Sequence, residues 1–205
     1  MDKLRLRFEK TGRAVWISHL DLMHTMQRGF SRAGIRLQYS EGFNPHPIMS
    51  IAMPLSVGAE SECELMDIRI AGDFNLEALN RSLPEGIKVL EAYEPERKIA
   101  DIRWLAIRGT FEPCDDEAVN AFFAQDSIRM IKKTKRGEAE TDIKPMIQSF
   151  AVKEGVLEAV ISAQNPTLNP NCLVEALEQC ESGLAPDFYR FRRMELYDAD
   201  GKVFR

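Results

Sequence analysis

The order of hydrophobic periodicities in the first half of the chain constrains its fold most strongly. "KLRLRFEKTG" (residues 3–12) alternates apolar and polar side chains, as a strand with one buried face does. Residues 18–34 then place apolar side chains at helical spacing, and Gly34 supplies the stop. Three further strand patterns and one short helical pattern follow, at residues 35–40, 63–72, 87–96 and 75–86 respectively. The order β-α-β-β-α-β predicts a ferredoxin-like unit.

The second half repeats this order more loosely, without a close sequence repeat. Its strand patterns open and close the half, and its helical patterns lie at residues 114–125 and 169–180. The charged stretch "EPERKIAD" (residues 94–101) separates the halves. The sequence therefore predicts an α+β fold with two ferredoxin-like (βαββαβ) units in tandem, antiparallel sheets and helices on one face. The predicted domains are residues 1–96, which include a proline-rich loop, and residues 102–205.

Composition excludes several classes of protein. No apolar run is long enough to span a bilayer, and the N-terminus alternates charged and apolar residues unlike a signal peptide, so we expect a cytoplasmic protein without a membrane partner. The four cysteines form no CxxC pair, so the chain lacks the usual ligands of an iron–sulfur cluster or structural zinc. A net charge of −5 gives no global basic field, so any nucleic-acid binding requires a local patch.

The motifs of common enzyme classes are absent from the sequence. It contains no P-loop, GxGxxG or GxSxG element, which argues against nucleotide-fold enzymes. His19 and His24 are five residues apart and lie on different sides of a helix, so they do not form the pair of an HExxH zinc site. We therefore predict neither a metal nor a cofactor for the chain.

The loop "SEGFNPHPIMS" (residues 40–50) is dense in residues with restricted or special backbone geometry. Pro45 and Pro47 fix their own φ angles, so Phe43 and His46 are presented on a stiff segment. In the predicted fold, this loop and the start of the first helix follow strands at the same end of the sheet. We therefore expect one junction between the loop and Ser18, His19 and Asp21. Whether His46 contacts a ligand or only holds this junction stays open.

Two groups of basic residues could contact nucleic acid. "KKTKR" (residues 132–136) precedes a glycine and is typical of an exposed turn, and Arg5, Arg7, Arg28 and Arg32 could form a second basic surface. Basic residues together with aromatic ones suit binding of an RNA backbone with stacking of bases. A lysine-rich hairpin tip is also often simply solvated, so both interpretations remain open.

A run of acidic residues offers a different kind of surface. In "GAESECE" (residues 58–64), Glu60, Glu62 and Glu64 alternate along one face of an extended segment. Because like charges on one face repel each other, we expect these side chains to point into solvent or to meet a basic partner.

Three stretches of the first half carry a family resemblance: "RFEKTG" (residues 7–12), "WISHLDLMHTMQRGFSRAGI" (16–35) and "YSEGFNPHPIMSIAMPLSVGAESECELMDI" (39–68). They resemble the N-terminal hallmark of the bacterial radical SAM-linked protein family, an uncharacterised family. "DIKPMI" (residues 142–147) resembles a further element of that family. Glu41 stands where the family pattern has Gln, and Met23-His24 replaces a basic residue there.

The resemblance implies a protein partner and a role in RNA metabolism. The family occurs fused to, or encoded beside, radical SAM proteins with a B12-type domain and near a ribonuclease of the RNase E/G type, which associates it with RNA metabolism. The opening strand and helix are also similar to those of repeat-associated RNA-processing proteins built from two ferredoxin-like domains, a fold-level likeness.

Three functional hypotheses follow. The first is a non-catalytic accessory or substrate-adaptor module that binds RNA, a radical SAM partner, or both, with Ser18, His19 and Asp21 shaping the junction between loop and helix. Its predicted contact residues are Arg28, Arg32, Tyr39, Phe43, Asn44, His46, Lys132, Lys133, Lys135 and Arg136. The second is a metal-independent RNA-processing enzyme with His19 or His46 as general base. The third is a protein–protein scaffold that uses residues 58–64. The sequence does not specify the RNA, the partner or the oligomeric state.

Overall fold

The computed structural model describes residues 2–134, 137–180 and 183–205. Within these residues the protein is a mixed α+β structure with antiparallel strands and four α-helices. The chain divides into two compact units, one up to Ile99 together with Arg205, and the other from Ala100 to Phe204. The predicted boundaries at residues 96 and 102 bracket this division.

The first unit contains four strands and two α-helices. They are β1 (Lys3–Lys10), α1 (His19–Arg32), β2 (Met49–Ile51), β3 (Glu60–Arg69), α2 (Leu76–Ser82) and β4 (Ile87–Tyr93). Its strands are ordered β4-β1-β3-β2, and each neighbouring pair is antiparallel. A short 3-10 helix, Gly12–Trp16, connects β1 to the segment before α1.

The core of the first unit lies between its sheet and its helices. Leu6 and Phe8 of β1 are fully buried, as the alternating pattern predicts. Met26 and Phe30 of α1 are one helical turn apart and join the same cluster, as does Leu79 of α2. The two helices therefore cover the face of β1 that carries its apolar residues.

Arg5 and Arg7 of β1 are not solvated, contrary to the sequence prediction of a basic surface. Arg5 is fully buried and Arg7 is buried. Arg5 donates two hydrogen bonds to Asp67, from Nε to Oδ1 at 2.7 Å and from Nη2 to Oδ2 at 3.1 Å. This two-pronged contact satisfies both carboxylate oxygens and suits the planar guanidinium group. Arg5 and Arg7 therefore belong to the interior, and the predicted basic surface that included them is wrong in this part.

The segment at residues 35–40 does not form the predicted strand. Only Leu37 and Tyr39 make isolated bridges, to Ile70 and Pro47 respectively. The position beside β3 is taken by β2, in which Met49 lies opposite Ile68. The alternation at residues 35–40 therefore reflects contact with the end of β3 rather than a full strand.

The second unit contains six strands and two α-helices. They are β5 (Trp104–Glu112), α3 (Asp116–Phe123), β6 (Arg129–Thr134), β7 (Gly137–Asp142), β8 (Ile147–Lys153), β9 (Val156–Ser162), α4 (Asn171–Gln179) and β10 (Phe188–Tyr197). Four of the strands follow the antiparallel order β10-β5-β9-β8, whereas β6 and β7 form a separate two-stranded sheet. Along the chain, the hairpin β6–β7 is thus inserted between α3 and β8.

Local contacts hold the helices of the second unit. Asp115 caps α3 by accepting a hydrogen bond from the Ala118 amide at 3.1 Å. Phe123 at the end of α3 stacks on Phe150 of β8, with ring centroids 3.9 Å apart. These contacts bear out the helical interpretation of the acidic stretch around Asp115. No helix among the described residues is long and apolar enough to cross a membrane.

Candidate binding surface of the first unit

The proline loop, residues 40–50, is closed by hydrogen bonds between its two stems. The Ser40 amide donates to the His46 carbonyl oxygen at 2.9 Å, and the His46 amide donates to Ser40 Oγ at 3.1 Å. Ser40 Oγ also lies 2.9 Å from His46 Nδ1. Beyond this pair, the Ile48 amide donates to the Gln38 carbonyl at 2.8 Å. The loop is therefore fixed by its own backbone and by one serine–histidine contact.

Aromatic side chains on and beside this loop face solvent. Phe43 is fully exposed, and 52% of the Tyr39 surface is accessible. Asn44 and His46 are also exposed. A large apolar side chain without a protein neighbour on a fixed loop is available to stack on a planar ligand.

The start of α1 is organised by a local cap. Ser18 Oγ accepts a hydrogen bond from the Asp21 amide at 3.2 Å and donates its own hydrogen to Asp21 Oδ2 at 2.7 Å. His19 is half-buried at the first helical position. In the part of the chain that the structure describes, no hydrogen bond joins His46 to His19 or Asp21. The expected single junction between loop and helix stays a prediction, since each half is held by separate contacts.

Trp16 is a candidate contact residue that the sequence reasoning did not single out. It is 72% exposed at the end of the 3-10 helix. The buried Lys10 side chain holds the backbone on both sides of it, because Nζ donates to the carbonyl oxygens of Val15 and Ile17, each at 3.2 Å. The Gly58 amide donates to the Val15 carbonyl at 2.9 Å from a neighbouring loop. A tryptophan between apolar residues usually marks a core position, so no feature of the sequence indicated this exposure.

The predicted phosphate contacts on α1 have different surroundings. Arg28 is exposed and lines a shallow groove of about 260 Å³ together with His24, Gln27 and Ser31. Arg32 instead donates from Nη2 to the Ser82 carbonyl oxygen at 2.5 Å, at the end of α2. Arg28 is thus free to meet an anion, whereas Arg32 stabilises a helix terminus.

The basic hairpin lies in the second unit, and only part of it is described. Lys132 is half-buried and lies near Cys172. Burial raises the pKa of the Cys172 thiol, and the positive charge of Lys132 opposes this rise. The side-chain amide of Gln179 in α4 accepts a hydrogen bond from the Ile131 backbone amide at 2.7 Å and donates one to the Ile131 carbonyl oxygen at 3.1 Å. Lys133 is part of β6, while the predicted contacts Lys135 and Arg136 lie outside the described residues.

The acidic segment is less available than the sequence suggested. Ser61, Cys63 and Glu64 are buried in β3, which excludes solvent exposure for Glu64 and leaves a basic partner as the prediction for its carboxylate. Glu60 Oε1 accepts a hydrogen bond from the Gly12 amide at 3.2 Å. This segment is therefore part of the scaffold that holds the turn before Trp16, and it is a poor surface for docking.

The second family-like element, residues 142–147, also has a structural role. Asp142 accepts hydrogen bonds from the amides of Ile128 and Lys144, at 2.9 and 3.0 Å, and from the Ser127 hydroxyl at 2.9 Å. The hydrogen bonds from these two backbone amides are the main reason that the pKa of Asp142 lies below its ordinary value. The aspartate therefore ties the base of the β6–β7 hairpin to the turn that follows it.

These elements define a mixed α+β protein with aromatic residues exposed on fixed turns of its first unit. The chain belongs to the family described as "Uncharacterized protein conserved in bacteria (DUF2344)", whose sequence profile matches residues 3–170. Among curated proteins, none matches the chain.

Two solved structures are similar to the chain only at a low level. An unknown protein from Galdieria sulphuraria has 11% identity and a TM-score of 0.30, with 94% of this chain and 98% of that chain covered. The small subunit of acetolactate synthase from Thermotoga maritima has 11% identity and a TM-score of 0.27, with 94% of each chain covered. Neither likeness carries an argument about fold or function.

Proposed function

We propose that the protein is a non-catalytic adaptor that binds single-stranded RNA and presents it to a radical SAM partner. The observation that carries the RNA part is the full exposure of Phe43 on the hydrogen-bonded proline loop. Exposing a phenylalanine in this way is unfavourable in water, and the fixed loop lowers the entropy lost when a base stacks on it. The radical SAM partner rests on the family resemblance of residues 7–68.

Neighbouring features support a nucleic-acid ligand. Trp16 and Tyr39 offer two more exposed aromatic rings on the same unit, and Arg28 offers an exposed guanidinium group. Stacking of one base on an aromatic side chain contributes about 1–3 kcal/mol. Aromatic stacking combined with cationic contacts to phosphate is the usual basis for binding single strands.

The contacts of His46 favour binding over acid–base catalysis. Its Nδ1 lies 2.9 Å from the Ser40 hydroxyl, within the pair of residues that closes the loop. A general base of a ribonuclease needs a partner group that orients and activates it, most often a carboxylate. The serine contact instead fixes the loop that carries Phe43. An enzyme with His19 or His46 as general base, and a protein scaffold, remain alternative predictions.

The finer description of the fold belongs to the same proposal. In each unit, the four main strands follow the order fourth, first, third, second, with all neighbours antiparallel. This order supports two tandem ferredoxin-like units, with the β6–β7 hairpin as an insertion in the second. The four cysteines are free thiols, which supports a cytoplasmic location.

The stacking role of Phe43 is tested with a fluorescently labelled single-stranded RNA and fluorescence anisotropy. Because stacking contributes about 1–3 kcal/mol, Phe43→Ala should weaken binding by about 5- to 150-fold. Phe188→Ala removes an exposed phenylalanine of the second unit and serves as the matched control. Equal affinities for the two variants would contradict the proposed role of Phe43.

The phosphate contact and the partner need separate experiments. Arg28→Gln should reduce the salt dependence of RNA binding by about one unit of slope, whereas Arg81→Gln, at an exposed position of α2, should not. A crosslinking pull-down with this chain as bait should recover a radical SAM protein together with RNA. Recovery of RNA without that protein would remove the adaptor role and leave a simple RNA-binding protein.

A further inference from the structure

A cleft of about 300 Å³ lies beside the proline loop, within the first unit. Its walls come from the end of the loop, from β2 and from the ends of β1 and β3, and they include Lys3, His46, Ser50, Asp67 and Arg69. One water molecule in the liquid occupies about 30 Å³, so the cleft has room for a phosphoryl group with part of its sugar or with bound water.

The strand register places two cations directly opposite each other at this cleft. Lys3 of β1 pairs with Arg69 of β3. Like charges at directly opposed positions of a sheet repel each other. Arg69 is exposed, and in the described part of the chain no carboxylate lies within ion-pair distance of it. An anion bound between the two side chains would relieve this repulsion.

The single carboxylate of the cleft does not neutralise these charges. Asp67 receives two hydrogen bonds from the buried Arg5, at 2.7 and 3.1 Å, while its Oδ2 lies 3.6 Å from Lys3 Nζ. One negative charge thus faces three positive ones at Lys3, Arg5 and Arg69. Arg5 is buried, and its charge is matched by that of Asp67. The positive charges of Lys3 and Arg69 therefore remain in excess, and both are exposed.

The backbone fixes Arg69 against both stems of the proline loop. The Arg69 amide donates to the Ile48 carbonyl at 3.0 Å, and its carbonyl accepts from the Gln38 amide at 2.9 Å. The backbone of Arg69 therefore has a fixed position beside the loop, and its side chain reaches the cleft from there. Such placement lowers the cost of ordering a cation around a ligand.

His46 adds a hydrogen-bond donor at the same cleft. Ser40 Oγ already accepts the His46 amide, so its own hydrogen can be given to Nδ1 of the ring. When the Ser40 hydroxyl donates to Nδ1, the neutral ring carries its hydrogen on Nε2. In that tautomer, Nε2 is a hydrogen-bond donor, which suits an anion.

We infer that the cleft formed by Lys3, Arg69 and His46 binds the phosphate group of a nucleotide. This inference deepens the proposed function, because it assigns a phosphate of the bound RNA to the loop that presents Phe43. Phosphate matches the cleft in charge, since the two exposed cations can balance the one negative charge of a phosphodiester or the two of a terminal monophosphate. It also matches in geometry, because guanidinium groups bind phosphate through two parallel hydrogen bonds.

The inference is tested by titrating the protein with inorganic phosphate and following the NMR signal of the His46 Cε1 proton. This signal is assigned by its loss in the His46→Asn variant. Phosphate should shift this signal saturably in the wild-type protein. Arg69→Gln and Lys3→Gln should each weaken phosphate binding by about tenfold, and Arg81→Gln, which makes the same charge change on α2, should leave it unchanged. Equal effects of Arg69→Gln and Arg81→Gln, or no saturable shift, would overturn the inference.

The source of the phosphate is distinguished with two dinucleotides, one with a 5′-phosphate and one with a 5′-hydroxyl group. Tighter binding of the first, lost in Arg69→Gln, assigns a terminal phosphate to the cleft. Equal binding of both, again lost in Arg69→Gln, assigns the internal phosphodiester. Either result supports the inference, whereas binding of both that Arg69→Gln leaves unchanged would overturn it.

The same experiments separate the inference from the proposed function. If Phe43→Ala weakens RNA binding but Arg69→Gln does not, RNA binding stands and the phosphate cleft is wrong. If Arg69→Gln abolishes phosphate binding while Phe43→Ala leaves RNA binding unchanged, the cleft stands and the stacking role of Phe43 is wrong. Thermal unfolding of each variant by circular dichroism verifies that the exposed substitution preserves the fold.

Discussion

The close approach of two backbone segments at Gly86 provides a sharp test of the structure. Gly86 has a φ angle of +88°, and its carbonyl accepts a hydrogen bond from the Thr11 amide at 2.8 Å. A Cβ atom at this position would overlap the Thr11 carbonyl oxygen and lie 2.9 Å from Ala14 Cβ. Gly86→Ala must therefore push apart the end of β1 and the turn before β4.

Three contributions set the size of the effect. A side chain in the left-handed region costs about 1 kcal/mol. Loss of the hydrogen bond from Thr11 costs about 1 kcal/mol, and the backbone overlap costs at least about 1 kcal/mol more. The free energy of unfolding should therefore fall by about 3 kcal/mol in Gly86→Ala.

Gly34→Ala is the matched control, because it isolates the backbone conformation. Gly34 has a φ angle of +74°, and no atom lies within 4 Å of the position that its Cβ would occupy. This variant should lose only about 1 kcal/mol. Urea unfolding followed by circular dichroism measures both values. Equal losses for the two variants would refute the close approach of Gly86 to Thr11.

Three further predictions concern caps, core and pH. Ser18→Ala removes the cap of α1 and should lower the free energy of unfolding by about 1 kcal/mol in the same urea experiment. Phe30→Ala removes a fully buried ring and should lower it by about 3–5 kcal/mol, unlike the exposed Phe43→Ala, which should be nearly neutral for stability. Hydrogen bonds, first from the Ile128 amide, hold the pKa of Asp142 below 3.8, so its stabilising effect is complete above that pH and is lost as the pH falls through the lowered value. The difference in stability between wild type and Asp142→Asn should therefore shrink in acid titrations below pH 3.8, and a constant difference would contradict this cause.

The periodic parts of the chain were predictable because burial of one face determines their pattern. The residues of β1 and α1 fall where the alternating and helical spacings placed them. At residues 35–40, the same pattern predicted a strand that does not exist, since β2 takes the place beside β3. Alternation shows that one face is buried, but it does not show which partner supplies the hydrogen bonds.

The candidate surface was predictable only in part. The two prolines predicted a stiff loop that carries Phe43, and the structure adds that this side chain is fully exposed. The basic residues of β1 wrongly suggested a solvated surface. Arg5 instead bonds to Asp67 of β3, which is 62 residues further along the chain, and the sequence pattern does not reveal that pairing. The exposure of Trp16 depends on contacts of Lys10 with backbone carbonyls, and backbone groups have no signature in sequence.

The exposure of Trp16 has a practical consequence for spectroscopy. The chain has two tryptophans, and each unit contains one of them, Trp16 in the first and the half-buried Trp104 in the second. The fluorescence of Trp104→Phe therefore comes from the first unit alone, and the high accessibility of Trp16 should make its emission red-shifted and readily quenched by acrylamide. The reciprocal Trp16→Phe variant isolates the signal of the second unit. Intrinsic emission thus gives each unit its own optical label, without any attached dye.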